Sequence, residues 1–474
     1  MRFIADLHIH SKYSRATSPN MDLEELDRWA DDKGISVIAT GDFTHPQWFN
    51  ELKEKLEPSD RGRTPTLVGA EPGLFKLKQQ YKRPTIKGTL ADTRFILTAE
   101  VSSIYSRESP STGLKRVYRV HNLILAPDFE TVEKINAQLG WIGNLKSDGR
   151  PILGLDCREL AKIVFNASPL AVIIPAHAWT PWFSIFGSMS GFDSIEECFG
   201  EYAKNIFAIE TGLSSDPAMN WRLSKLDDVA LISNSDSHSA PKIGREANIF
   251  DTELSYSGIM DAIKSGAPNQ RKSALNQHPP AIGFASGERR AGKSAFISTI
   301  EFFPEEGRYH FDGHRACNIV FPPEETKKHN DICPKCGKKL TIGTMNRVDK
   351  LADRPEIKFE KENFYNTYDN RVPYYSLIPL DEIIAEVYGM GVVSKKVKEE
   401  YIKLIKAFGS ELKILIDLSV EELKTIADEK VVKGIIAVRE KKLKIEPGFD
   451  GEYGKIKIFS EEEKENLEIQ KKLF

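Results

Sequence analysis

The sequence predicts an α/β fold followed by a small metal-binding module and a helical end. Three observations carry this. Short apolar runs alternate with helix-like stretches from Met1 to about Pro268. Cysteine and histidine residues gather at knuckle spacing between Ser294 and Lys350, and apolar residues recur at three- and four-residue steps from Leu380 to Glu440. A chain of 474 residues is too long for one core. We divide it into an α/β domain (1–268), a basic connector (269–293), a zinc-binding module (294–350) and a helical C-terminal domain (351–474).

Composition excludes several classes. With 40% apolar and 28% charged residues the chain is globular rather than disordered or collagen-like. The longest apolar stretch, Ala171 to Phe186, holds two prolines and a histidine, so it reads as a buried strand entering a loop and not as a membrane span. The N-terminus has no basic region leading into a long apolar run, which predicts a cytoplasmic protein without a signal peptide. Five cysteines cannot all pair, and one C-P-K-C step favours metal over disulfides. Net charge is −3, yet Arg271 to Lys350 carries 14 Lys and Arg against 9 Asp and Glu, a basic middle between acidic flanks.

The predicted strands, in order, are Arg2 to Asp6, Ser36 to Ala39, Thr66 to Val68, Arg94 to Thr98, Arg116 to Leu125, Leu170 to Ile174, Ile206 to Ile209 and Val229 to Ile232. They suggest a mostly parallel sheet or barrel. Several lead into polar residues that a buried strand does not need: His8 and His10, Asp42 and His45, Glu100, His177, Glu210, and Asp236 and His238. In a (β/α) barrel the strand C-terminal ends share one face, so residues more than two hundred positions apart can meet there. His8 and His10, two apart on a strand, point to the same side and can bind one metal.

These motifs, ADLHIHS, ATGDFTHP, LTAEVSS, RVHNLIL, IPAHAW and SNSDSHS in that order, resemble the polymerase and histidinol phosphatase (PHP) superfamily. That resemblance covers about the first 250 residues and implies a distorted (β/α)7 barrel with a multinuclear metal site. It places His8, His10, Glu100, His121, His177, Asp236 and His238 at ligand positions. Asp42 fits the Asp of the second motif, while its His is displaced to His45, and Arg15 stands where an Asp is expected. Two or three divalent ions (Zn, Mn, Mg or Fe) follow, with His8, His10, Asp42, Glu100 and Asp236 as the catalytic set. Glu100 is suited to bridging two ions, and such a pair serves phosphoester hydrolysis. His45 or Arg15 is a candidate phosphate holder, set against the simpler reading that both pack or cap loops. Glu71 and Glu210 also sit at strand ends, and Glu71 reads as a rim residue.

In YHFDGHRACN, His314 and Cys317 form H-x2-C, and Cys333 and Cys336 form C-x2-C, which together fill one tetrahedral structural zinc. His310 is an alternative to His314, and Cys157 and Cys198 read as core residues. GERRAGKS matches a phosphate-loop pattern, but AFISTIEFFP after it reads as a strand and provides no helix N-terminus, so Arg289, Arg290 and Lys293 are read as a basic DNA-facing connector. EVYGMGVVSKKVKEE looks like a helix-hairpin-helix in which Gly389, Gly391 and Lys395 contact a DNA phosphate, although a plain glycine-capped turn would give the same pattern.

The whole order of motifs, from the PHP barrel through EFFPEEGRYHFDGHRACN and CPKCG to EPGFDGEYGKIKIF, resembles the endonuclease Q family over nearly the full chain. It implies a metal-dependent DNA repair endonuclease cutting 5′ of deaminated bases (uracil, hypoxanthine) or abasic sites. Trp179, Trp182 and Phe183 are then candidates for stacking a base, or else core residues. Two alternatives remain open: a PHP phosphatase acting on a small phosphomonoester, and a non-catalytic DNA-binding protein.

Overall fold

The computed structural model describes residues 1–59, 73–108, 113–271, 295–357, 360–362 and 365–459. The expected strand at 66–68, Glu71, and the connector residues Arg289, Arg290 and Lys293 lie outside them. No helix among the described residues is long and apolar enough to cross a membrane.

The first strand, Arg2–Asp6, lies inside the main sheet, parallel to Val37–Ala39 and antiparallel to Ala247–Asp251. Val37–Ala39 in turn lies parallel to Arg94–Glu108. Here the sheet departs from the mostly parallel expectation. Arg94–Glu108 and Lys115–Ala126 form one long antiparallel hairpin, from Leu97 opposite Ala126 to Glu108 opposite Lys115. Lys115–Ala126 then pairs antiparallel with Val172–Pro175. The physical reason is connection length: a parallel crossover needs about a dozen residues or more, and the link between these two strands is far shorter. Two parallel strands, Ala208–Glu210 and Ala230–Ile232, form a two-stranded sheet beside them. They are joined to their neighbours by Ala178 N donating to Glu210 O and by the bridge between Ile9 and Ser237.

Alternation along these strands separates two cores. Phe3, Ala5, Val37, Ile96, Leu123, Ile174, Ala208 and Ile232 form an inner cluster. Ile38, Phe95, Leu97, Ile124, Ile173 and Ile209 face the helices. Those helices begin where the sequence provides caps: Asp22 accepts from Glu25 N before Leu23–Lys33, and Asp128 from Thr131 N before Phe129–Ile142.

The sheet continues past the expected domain boundary. Ala295–Glu301 pairs antiparallel with Ala247–Asp251 and parallel with Tyr374–Ser376, so these segments, assigned from sequence to the zinc module and the helical domain, extend the sheet of the first domain. The module proper holds the hairpin Asp312–His314/Ile319–Phe321 and the helix Thr344–Leu351. From that helix, Arg347 reaches the loop after His177, donating to Phe186 O, Phe192 O and Asp193.

The C-terminal helices are Leu380–Tyr388, Lys395–Phe408, Val420–Lys424 and Glu429–Arg439, as the periodicity predicts, with a two-stranded ribbon Lys444–Glu446/Lys455–Lys457 beyond. A buried ion pair, Lys33 to Glu411 at 2.7 Å, ties them to the first domain. Glu411 also accepts from Tyr401 OH, so removing either charged partner should cost about 3–5 kcal/mol.

Candidate metal centre and the comparisons that place it

Six residues from five strands or the loops that follow them converge in two groups that share Glu100. In the first, His10 Nε2 lies 3.0 Å from Asp236 Oδ1 and 3.3 Å from Glu100 Oε2, and His8 Nε2 lies 3.7 and 3.8 Å from the same two oxygens. In the second, Glu100 Oε1 lies 2.7 Å from His121 Nδ1 and 3.0 Å from His177 Nε2. Each carboxylate oxygen of Glu100 therefore faces a different group, the disposition a bridging ligand requires.

The donor set fits metal ions on its own terms. His8 Nε2, His10 Nε2 and Asp236 Oδ1 are buried and have no hydrogen-bond partner, a costly state for three polar atoms aimed at one another. Their far sides are held by partners. His8 Nδ1 donates to Glu210 at 3.1 Å, and Glu210 also accepts from His177 N and Asn234 Nδ2, both at 2.8 Å. His10 Nδ1 donates to Asp42 at 3.0 Å, and Asp42 takes further donors from Ser11 and Ser14. A carboxylate behind an imidazole fixes its tautomer and raises its basicity as a ligand.

Charge follows the same geometry. Burial alone would raise the Glu100 carboxyl, but hydrogen bonds from His121 and His10 and the charge of Arg150 hold it well below the ordinary carboxylate range. Burial pushes His121 down to about 4, leaving it neutral and ligand-competent at physiological pH. Asp42, His177 and Asp236 have left-handed backbones, with φ of 49°, 29° and 46°. Non-glycine residues rarely adopt that conformation, and it occurs here at three polar residues of one site. The chain tolerates it by close packing: a Cβ at Gly212 would stand 2.5 Å from that of His177.

The remaining expected residues are placed as follows. Asp42 lies behind His10 and outside both groups, its oxygens occupied by His10, Ser11 and Ser14. His238 is also outside, its ring 4.5 Å from that of His10 and its Nδ1 donating to Asp236 O. His45 stacks on Tyr13 at 4.4 Å. The Arg15 side chain is 76% exposed and pairs with Asp148. The arginine inside the centre is Arg150, whose Nη1 donates to Glu100 Oε2 at 3.0 Å. Nothing in the sequence marked it, because it follows a turn, Ser147-Asp148-Gly149, instead of ending an apolar run. Glu210 was visible as a strand-end acid, but its hold on His8 was not.

Of the three aromatics after His177, Trp179 is fully buried with its Nε1 donating to Asn220, and Phe183 packs on His121 at 4.9 Å. Trp182 meets Tyr309 of the zinc module edge-on at 5.4 Å.

His314, Cys317, Cys333 and Cys336 form the third group, with His314 Nδ1 3.6 Å from Cys336 Sγ. His310 is buried and outside it. Gly337, at φ 72°, closes the knuckle by donating to Cys333 O. Gly389, at φ 61°, ends the helix Leu380–Tyr388, and Gly391 and Lys395 are exposed in the turn and at the start of the next helix.

Comparison with known proteins agrees with this layout. The MJ0043 C-terminal domain family matches residues 379–442. The uncharacterized protein MJ0043 of Methanocaldococcus jannaschii is 35% identical over 282 residues, 59% of this chain and 31% of that protein. The uncharacterized protein YqxK of Bacillus subtilis is 29% identical over 288 residues, 60% of this chain and 61% of that one. The alignments thus span about a third and about three-fifths of these curated relatives. Among solved structures, the lesion-specific endonuclease PfuEndoQ of Pyrococcus furiosus superposes with a TM-score of 0.75 at 30% identity, covering 97% of this chain and 96% of that one. The chain belongs to the endonuclease Q family. A second endonuclease Q structure, in complex with a 27-mer duplex substrate carrying an abasic lesion at the active site, gives a TM-score of 0.74 at 30% identity with 98% coverage of both chains. The likeness to endonuclease Q therefore extends over the zinc group and the C-terminal helices as well as the two groups around Glu100.

Proposed function

We propose that this chain is a metal-dependent DNA endonuclease that nicks the phosphodiester bond 5′ of deaminated bases (uracil, hypoxanthine) or abasic sites. The observation that carries the reading is Glu100, shared between two imidazole-rich groups in a chain that superposes end to end on a lesion-specific endonuclease. Divalent ions held by His8, His10, Glu100 and Asp236, and by Glu100, His121 and His177, would lower the pKa of a water and offset charge developing on the phosphoryl oxygens. Zn, Mn, Mg and Fe are the candidates.

The chain's own residues do the rest. Glu210 and Asp42 keep the two leading imidazoles oriented, so ligand geometry need not reorganise during reaction. Arg150, a permanently charged side chain in contact with the shared carboxylate, is positioned to hold a non-bridging phosphate oxygen, the role considered for Arg15 and His45. The Cys3His group closes a structural zinc site in the module that packs against the loop after His177. The turn at Gly389 and Gly391, with Lys395 following, offers phosphate contacts that are independent of sequence, as do Arg289, Arg290 and Lys293 in the connector.

The test is a labelled duplex with one uracil, one hypoxanthine or one abasic site, incubated with magnesium or manganese. A single nick 5′ of the lesion is expected, with the undamaged duplex intact. No nick on any lesion, together with release of phosphate from a small phosphomonoester, would overturn the reading.

A further inference from the structure

The turn between the two strands of the C-terminal ribbon is bonded onto the zinc module. Phe311 N donates to Gly448 O at 3.0 Å, and Arg308 and Gly451 bond each other twice, Gly451 N to Arg308 O at 3.0 Å and Arg308 Nε to Gly451 O at 2.9 Å. Gly451 is held at φ 88°, a left-handed backbone that suits glycine. A Cβ there would stand 3.5 Å from Tyr309 Oη, 3.7 Å from Arg315 Nη1 and 3.8 Å from Arg308 Nη2. The three nearest atoms outside the adjoining residues are thus all hydrogen-bond donors, two of them on permanent charges. Each is braced. Tyr453 lies under the Arg308 guanidinium at 5.0 Å, Trp182 meets the Tyr309 ring at 5.4 Å, and Arg315 is fixed at its backbone, whose N donates to Asp450 at 2.6 Å.

The acids of the turn do not answer these donors. Asp450 has its two oxygens occupied by Thr341 Oγ1 and Arg315 N. Glu452 reaches Arg315 Nη1 only at 3.5 Å, with both side chains more than half exposed, a pair weak enough for an incoming anion to displace. A turn glycine alone does not require two guanidinium groups and a phenol around one unfilled point, whereas the oxygens of a phosphate do match them. Location then selects the source of that phosphate. Trp182 belongs to the loop after His177, and the next residue, Phe183, packs on His121 at 4.9 Å. These links keep the Gly451 turn within roughly 30 Å of His121, less than the ~34 Å of one duplex turn. We propose that Tyr309, Arg308 and Arg315 form a cradle for a backbone phosphate of the bound DNA, within one helical turn of the bond that is cut. The proposal rests on the endonuclease reading above. Such a contact fixes the register of the duplex against the metal centre and demands no sequence.

The test uses the full chain and a duplex with a single abasic site, titrated at several salt concentrations. Arg315→Gln should weaken binding by about three- to thirty-fold near 0.15 M salt and reduce the slope of log K against log salt by about one. Arg315→Lys keeps the charge and should keep the slope. Tyr309→Phe, which leaves the ring against Trp182, should weaken binding by about two- to tenfold with the slope unchanged. In all three variants KM carries the effect, kcat at saturating duplex stays within about twofold, and thermal unfolding is unchanged. If the parent chain nicks the duplex but Arg315→Gln and Tyr309→Phe match it in affinity and salt slope, this inference fails and the functional reading stands. If the parent neither binds nor nicks, the functional reading fails and the cradle with it. A saturable response to inorganic phosphate that Arg315→Gln abolishes, with duplex affinity and slope as in the parent, would overturn the inference in favour of a free anion.

Discussion

The two kinds of ligand cluster in this molecule are built in opposite ways. His314, Cys317, Cys333 and Cys336 fall within one short module, are partly exposed, and depend on two tight turns. His8, His10, Glu100, His121, His177 and Asp236 are spread over most of the first domain, largely buried, and braced by Glu210, Asp42 and Arg150. A local cluster gains most of its order from the ion it closes on, so metal and folding are one equilibrium there. A cluster assembled by a whole sheet is in place before any ion arrives, so its metal serves chemistry and contributes less to folding. The contrast predicts which perturbations damage activity and which damage stability.

The largest effect should come from the two groups around Glu100. Asp236→Asn or His8→Ala is expected to abolish nicking while lesion-duplex affinity changes by less than about tenfold, since the DNA grip is spread over other surfaces; a gel assay beside a binding titration checks both. Next is Arg150→Ala, expected to lower kcat by about 10²–10³-fold with metal content at the Glu100 centre unchanged, by analogy with removing one preorganised charge stabiliser. Elemental analysis of that variant separates a lost phosphate contact from a collapsed Glu100. Glu210→Gln should be milder, about 10–100-fold in metal affinity or rate, because it touches His8 from behind.

On the other side of the comparison, Cys333→Ser should release any metal held by the Cys3His group, lower the unfolding temperature and weaken DNA binding, with metal content at the Glu100 centre unchanged. If metal at the Glu100 centre is lost as well, the two clusters are a single folding unit and the contrast breaks. The smallest effect lies at Glu306, where burial, reinforced by Glu382, pushes the carboxyl up to about 8. The folded state then resists ionisation that the unfolded chain undergoes near 4.5, so the cost to stability grows from about that pH and is complete above about pH 8. Glu306→Gln should raise Tm by about 2–4 °C at pH 8.5 and leave it unchanged near pH 4.

Much of the centre was legible because each ligand interrupts or ends an apolar run: His8 after RFIAD, Glu100 within ILTAE, His177 after VIIPA. Those interruptions make no sense for packing, so they stand out. Arg150 and the orienting role of Glu210 were not legible, since a loop arginine is unremarkable and a hydrogen bond between residues 8 and 210 leaves no trace in spacing. The fold showed the same limit. The runs beginning RFILT and RVYRV announced strands, but their mutual direction follows from the short link between them. The strand Ala295–Glu301 was recognisable as a strand; its partner, Ala247–Asp251, was not.

That short link has a mechanical consequence. One hairpin carries Glu100 and His121, with Ser102 opposite His121, so their spacing is fixed by strand register. His8 and His10 belong to a different strand, separated from it by Val37–Ala39. A rigid displacement of the hairpin together with Val172–Pro175, which pairs with it and leads to His177, therefore leaves the spacing of the second group alone and changes the gaps to His8, His10 and Asp236. The second group behaves as a fixed jaw and the first as an adjustable one. Ions of different radius should be told apart in the first group, and exchange there should be the faster of the two.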